Sequence, residues 1–289
     1  MMSAILYWIV IKPISLLPYR ALYALSDFFF VVFYYVVGYR KKVVHANLTR
    51  CFPEKTEAEI QRIQRAFYRH FCDLVLESLK NFSIKEVDLK KRFQHRGVEV
   101  FDRLFADGRS AILVGGHYGN WELWAVSAPP HFKQRLMAIY KRLSNSYFDQ
   151  KMRETRGRFG LELVSTKETG QWLKDHQEEL FVGVFAIDQS PTNPRKAQWI
   201  DFMGQETAAL FGTEKYAKEY NLPVVFGHLR KEGRGQYAID YELITESPRD
   251  FGHGELTQKL NSILEADIRQ DPRYWLWSHK RWKHKRPVD

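Results

Sequence analysis

Cysteine is scarce: Cys51 and Cys72 are the only two in 289 residues. That excludes a disulfide-rich secreted scaffold and any Cys-rich zinc or iron–sulfur module. Gly-x-Ser-x-Gly is absent, so the chain has no nucleophile elbow. His-Glu-x-x-His is absent too, as are the Gly-Lys-Ser/Thr of a P-loop and the glycine triplet of a dinucleotide site, so no metal ligand set or cofactor motif is expected. Acidic residues are in the minority, 34 against 44 Lys and Arg, and the formal charge is +10. Anionic partners follow, with nucleic acid, membrane surface, phosphorylated substrates and acidic proteins all open. A mean hydropathy of −0.43 excludes a polytopic membrane protein. With 45% apolar and 27% charged residues the chain is globular, and its length suits one large or two small domains.

What is abundant is aromatic: 20 Phe, 15 Tyr and 8 Trp, 15% of the chain. Many lie in the first 40 residues, where Ser3–Gly38 is interrupted only by Lys12, Arg20, Asp27 and two prolines. The run Phe28–Val37 is wholly apolar or aromatic but about half the ~20 residues a spanning helix needs. Arg40, Lys41 and Lys42 follow at once, as cytoplasmic flanks do. No small-residue cleavage site follows, which argues against a signal peptide. We read residues 1–40 as a helical membrane anchor, spanning or interfacial, in preference to a buried hairpin.

Beyond the anchor, residues 41–289 read as one α/β domain. Thr56-Glu57-Ala58-Glu59 is a capping box, and an amphipathic helix runs from it to about Lys80. Within it Cys72 is expected to pack and His70 to face solvent. Another helical stripe stops at Asp107-Gly108. Strands are expected at 111–114, 135–140, 161–164, 180–187, 222–230 and 237–244. Helices are expected from 120, over 147–159, 169–176, 206–220 and 256–268. The alternation implies a mixed central sheet flanked by helices.

The chemistry gathers after the strand Ala111–Val114, in Gly115-Gly116-His117-Tyr118-Gly119-Asn120-Trp121-Glu122. Ligands of open α/β sheets bind at such carboxyl ends of strands. Near a helix N-terminus the dipole disfavours imidazolium, so His117 is placed as a base. Glu122, one turn into the helix, could hold the second ring nitrogen, and the pair would activate a substrate hydroxyl. A surface histidine in a glycine-rich turn is the alternative. With no Ser or Cys nucleophile evident, direct transfer between two substrates is preferred to a covalent intermediate.

His-x-x-x-x-Glu within this block resembles the catalytic block of the lipid A late acyltransferases, part of the His-x4-Asp/Glu glycerolipid acyltransferase group. Tyr140-Lys141-Arg142-Leu143-Ser144-Asn145 is similar to that family's Tyr-Arg-Pro-x-x-Asn block. Trp277-Ser278-His279-Lys280-Arg281-Trp282-Lys283 resembles its C-terminal Trp-x-His-Arg-Arg-(Phe/Trp)-Lys signature. The resemblance implies that His117 deprotonates an acceptor hydroxyl, which attacks the thioester of an acyl carrier protein or CoA donor. It also implies a lipid A precursor as acceptor and a place on the cytoplasmic face of the inner membrane. Lys141 stands at the family's usual Arg and Arg142 at its usual Pro, so either cation could clamp a phosphate or polarise the thioester. Asp188-Gln189 matches the family's Asp-(His/Gln) block, and Asp188 could hold Lys141 or Arg142 or bind acceptor hydroxyls. Glu206-Thr207-Ala208-Ala209 resembles a Thr-containing helix start that could receive a phosphate.

The tail Tyr274–Arg286 interleaves Trp275, Trp277 and Trp282 with Lys280, Arg281, Lys283, Lys285 and Arg286, which suits a bilayer interface and anionic headgroups. Single-stranded nucleic acid would suit it as well, but no nucleic-acid-binding motif accompanies it. Two other functions are weighed: acylation of another lysolipid, and a non-enzymatic anionic-membrane binder.

Overall fold

The computed structural model describes residues 2–287. Two apolar helices come first, α1 (Met2–Leu16) and α2 (Tyr19–Val37). They are followed by α3 (Lys41–Cys51) and α4 (Glu57–Lys80). The capping box forms as expected: the Thr56 hydroxyl accepts from the Glu59 N–H, and Glu59 accepts from the Thr56 N–H. After α5 (Glu86–Arg92) come β1 (Phe93–Arg96), α6 (Glu99–Ala106), β2 (Ala111–Gly115), α7 (Trp121–Ser127), β3 (Arg135–Tyr140) and α8 (Ser146–Gly157). Next are β4 (Glu162–Ser165), α9 (Thr169–Asp175), β5 (Phe181–Ala186), β6 (Gln198–Phe202), β7 (Gln205–Ala209) and α10 (Gly212–Tyr220). β8 (Val224–Gly233), β9 (Gln236–Thr245) and α11 (Glu255–Gln270) complete the set.

Seven strands form one mixed sheet in the order β1-β9-β8-β2-β5-β3-β4. Only β8 and β9 are antiparallel; every other pair is parallel. The central strand β2 has four successive buried residues, Ala111 to Val114, because helices cover both faces of the sheet. Its neighbours β8 and β5 come from far along the chain, so β2 sits where strand order switches direction. β2 and β5 pair with Gly115 opposite Ala186, which brings their carboxyl ends level.

Two expectations are corrected. Residues 206–220 are not one helix: β6 and β7 form a separate hairpin, and α10 begins only at Gly212. The hairpin turns at Met203 and Gly204, both with positive φ, and the Met203 N–H is held by Glu265. His70 does not face solvent; it is buried on the inner side of α4.

The N-terminal helices pack on the domain through one face only. Leu22, Ser26, Phe30 and Tyr34 of α2 are buried, while Phe28, Val31, Tyr35, Val36 and Val37 are exposed. On α1, Ile5, Leu6, Trp8, Ile9, Val10 and Leu16 are exposed. Large apolar side chains exposed in this number on two successive helices mark an interaction surface.

Candidate active site

His117 and Asp188 each lie two residues beyond the level ends of β2 and β5, so the register itself sets them side by side. The His117 Nδ1–H donates to Asp188 Oδ1 at 2.7 Å. Asp188 Oδ2 accepts from the His117 backbone N–H and from Trp275 Nε1–H, both at 2.8 Å. Because a carboxylate only accepts, the ring proton sits on Nδ1 and the lone pair on Nε2. Gln189 donates its amide to that lone pair at 3.1 Å, so any other donor that is to reach Nε2 must displace it. The His117 side chain is 19% exposed and Asp188 3%, so the dyad opens outward only at the ring.

Burial raises the cost of charging both groups, but their mutual attraction outweighs it. Burial alone would lift the Asp188 carboxyl; the charge and hydrogen bonds of His117, with that of Trp275, hold it at about 2. Burial likewise disfavours the His117 cation, yet the Asp188 carboxylate lifts its pKa above the ordinary imidazole value, with Glu122 adding to the lift. Such a ring can take a proton from a hydroxyl at Nε2 while Asp188 steadies the imidazolium.

Glu122 is not bonded to the ring, contrary to the expectation from spacing. It sits on the first turn of α7 and accepts two hydrogen bonds from Arg156 of α8, from Nε at 3.0 Å and from Nη2 at 2.6 Å. The reason is strand register: β5 delivers Asp188 to Nδ1, and the helix carries Glu122 round to α8. Arg156 went unnoticed in the sequence, where it is one cation among several in a polar helix. Only the bidentate pair marks it out.

Two cavities meet at His117. One, of about 400 Å³, runs between apolar walls that include Leu113, Ala125, Ala138, Leu161, Leu163, Val184 and Leu229. The other, of about 500 Å³, has apolar walls as well, among them Leu143, Met152 and Leu210, and adds Lys141 and Arg153 together with Asp149 and Thr213. Tyr140, Arg156 and Gln189 line both. Both chambers are walled mainly by apolar side chains; the second is the cationic one because Lys141 and Arg153 line it and not the first, and His117 lines both.

The sequence model of the bacterial lipid A biosynthesis acyltransferases matches residues 1–284. The chain belongs to that family. A lipid A biosynthesis acyltransferase of Haemophilus influenzae is 25% identical, over 96% of this chain and 90% of that protein. The lipid A biosynthesis lauroyltransferase of Escherichia coli is 24% identical, over 96% and 88%. Its myristoyltransferase is 20% identical, over 83% and 74%.

In this acyltransferase the other expected residues divide sharply. Lys141 lines the cationic cavity and is exposed, whereas Arg142 turns away to pair with Glu168 at 2.6 Å. Tyr140 lines the junction, its hydroxyl 3.4 Å from Asp149. Asp188 holds neither Lys141 nor Arg142; it belongs to His117. Asn145 caps α8 and bonds Ser3 of α1, outside both cavities. Thr207 is buried within the β6–β7 hairpin and accepts from Trp282 Nε1–H, so no helix N-terminus there can receive a phosphate.

The tail is also corrected. Trp275, Trp277 and Arg281 are buried, and Trp282 is half-buried against Phe202, while Lys280, Lys283, Lys285 and Arg286 reach solvent. The tail runs back under the turn that carries His117, where Leu276 N–H donates to His117 O and Gly119 N–H to Tyr274 O. Its aromatics are therefore floor and brace of the site rather than headgroup contacts.

Proposed function

We propose that this enzyme moves a fatty acyl chain from the thioester of an acyl carrier protein to a hydroxyl of a lipid A precursor. The His117–Asp188 dyad, opening where an apolar and a cationic cavity meet, carries the proposal. The apolar chamber takes the acyl chain, and the cationic one takes the phosphorylated acceptor beside Lys141, Arg153 and Arg156. His117 Nε2 removes the hydroxyl proton as the oxygen attacks the thioester carbonyl carbon. The tetrahedral oxyanion then collapses, the carbon–sulfur bond breaks, and His117 returns the proton to the leaving sulfur. Asp188 stabilises the imidazolium between these steps. Glu122 fixes Arg156, whose charge favours the oxyanion.

The apolar sheath of α1 and α2 fits the inner membrane, with the catalytic domain on the cytoplasmic face. α2 has 19 residues, about 28 Å at 1.5 Å per residue, long enough to cross. Yet residues along its middle bond to the domain: Tyr23 to Glu77, Ser26 to Asp73 and Asp27 to Arg234. A helix bonded sideways in this way lies in the interface with its outer face in lipid.

The test is direct. Purified enzyme, acyl carrier protein charged with labelled acyl chain, and lipid A precursor should yield acylated lipid. Transfer to lysophosphatidate in preference to the lipid A precursor would replace the acceptor assigned here.

A further inference from the structure

Helix α4 buries four polar residues, His70, Asp73, Glu77 and Asn81, at its C-terminal half and end. Their three- and four-residue spacing sets them on one face. Three of them hold the catalytic turn. His70 Nε2–H donates to Gly119 O at 3.1 Å, while Lys231 Nζ donates to its Nδ1 at 3.3 Å. Glu77 Oε2 accepts from Asn120 Nδ2 at 2.6 Å, and Asn120 in turn caps α7 by accepting the Leu123 N–H. Asn81 Nδ2 donates to Glu122 O at 3.0 Å. Thus Gly119, Asn120 and Glu122 are each tied to α4.

The same column holds the N-terminal helix. Asp73 Oδ1 accepts from Ser26 Oγ at 2.8 Å, and Arg234 bridges Asp73 and Asp27. Glu77 faces both ways: Oε1 accepts from the Tyr23 hydroxyl at 2.8 Å, while Oε2 serves Asn120 and the Tyr237 hydroxyl. A buried carboxylate is tolerated only while such donors satisfy it. Losing the Tyr23 donor leaves Oε1 unsatisfied in the interior, so Glu77 must shift or take up a proton, and either disturbs the contact that holds the Asn120 cap.

We propose that Glu77 is a positioning residue that couples docking of the N-terminal helix to the geometry of the catalytic turn, so that this helix sets turnover as well as location. The inference rests on the acyl-transfer reading. The test compares purified full-length wild type, Tyr23→Phe and Ser26→Ala in detergent micelles, where membrane targeting plays no part. Both substitutions loosen the same helix, but only Tyr23→Phe touches Glu77. Tyr23→Phe should lower kcat about tenfold, with KM for donor and acceptor within about twofold and binding to anionic vesicles unchanged. Ser26→Ala should keep kcat within about twofold of wild type. Folded fraction is checked by thermal melting, and rates are taken per folded molecule. Wild-type kcat in Tyr23→Phe, an effect confined to KM or vesicle binding, or equal losses in both variants would overturn the coupling. Wild-type enzyme that transfers no acyl chain would overturn the functional reading with it.

Discussion

Asp188→Asn is the sharpest perturbation of the proposed mechanism because its effect follows from three hydrogen bonds. Oδ2 receives two N–H donors, from His117 and Trp275, while Oδ1 receives only the ring Nδ1–H. The carboxamide oxygen must therefore take the Oδ2 place, leaving the NH2 group facing Nδ1. That forces the ring proton onto Nε2, where the base needs its lone pair. The anion is lost as well. For charge centres ~4 Å apart at an effective dielectric of 20, the imidazolium loses about 4 kcal/mol, roughly a thousandfold in rate. With the wrong tautomer added, kcat/KM should fall by about 10³- to 10⁴-fold. The pH profile gives a second reading. A base must be unprotonated, so activity rises with pH through the His117 pKa, which in wild type lies above the ordinary value of 6.5. Without Asp188 that acidic limb should move to lower pH even as the plateau drops. Steady-state kcat/KM across about pH 5 to 9 measures both. An unmoved limb with less than tenfold loss would refute Asp188 as partner of the base.

Arg156→Lys keeps the charge but not the two-pronged grip on Glu122, worth about 1.5–3 kcal/mol for bonds to a charged group, so kcat should fall roughly ten- to a hundredfold. Full activity in a single-turnover assay would remove Arg156 from the mechanism. Ala138→Phe narrows the apolar chamber and should shift preference toward shorter acyl chains, each excluded methylene costing about 0.8 kcal/mol, roughly fourfold in kcat/KM. Competition between acyl donors of graded length reads this, and an unchanged ratio would show that the chain lies elsewhere. Ile9→Glu places a charge on the exposed sheath and should release the protein from anionic vesicles in flotation, with kcat in detergent unchanged. Retained flotation would contradict the interfacial seat.

Much of the fold was legible because buried parallel strands announce themselves. Ala111–Val114 and Leu180–Ile187 are continuous apolar runs, and the structure has strands at Ala111–Gly115 and Phe181–Ala186. The long helix after Thr56 was legible from its capping box. The partner of His117 was not. Glu122 is five residues away in sequence and Asp188 seventy-one, and only the Gly115–Ala186 pairing says which one meets the ring. The β6–β7 hairpin stayed hidden because Met203 occupies a left-handed turn position where Asn or Asp would have signalled it. The tail misled for a different reason. Trp and Arg alternate at membrane interfaces and also in cores where each polar tip finds a partner. Trp275 finds Asp188 and Trp277 finds Pro272 O, while Arg281 is buried over Phe202 with only its Nη1 bonded, to Ala208 O, none of which sequence composition reveals.

The central claim is that His117 activates a lipid hydroxyl for acyl transfer. Its most direct measurement is transfer of labelled acyl chain from acyl carrier protein to a lipid A precursor by wild type and His117→Ala at matched folding and vesicle binding. Acylated lipid from wild type, with the variant reduced to background, is the expected result. Transfer by His117→Ala at the wild-type rate would contradict it.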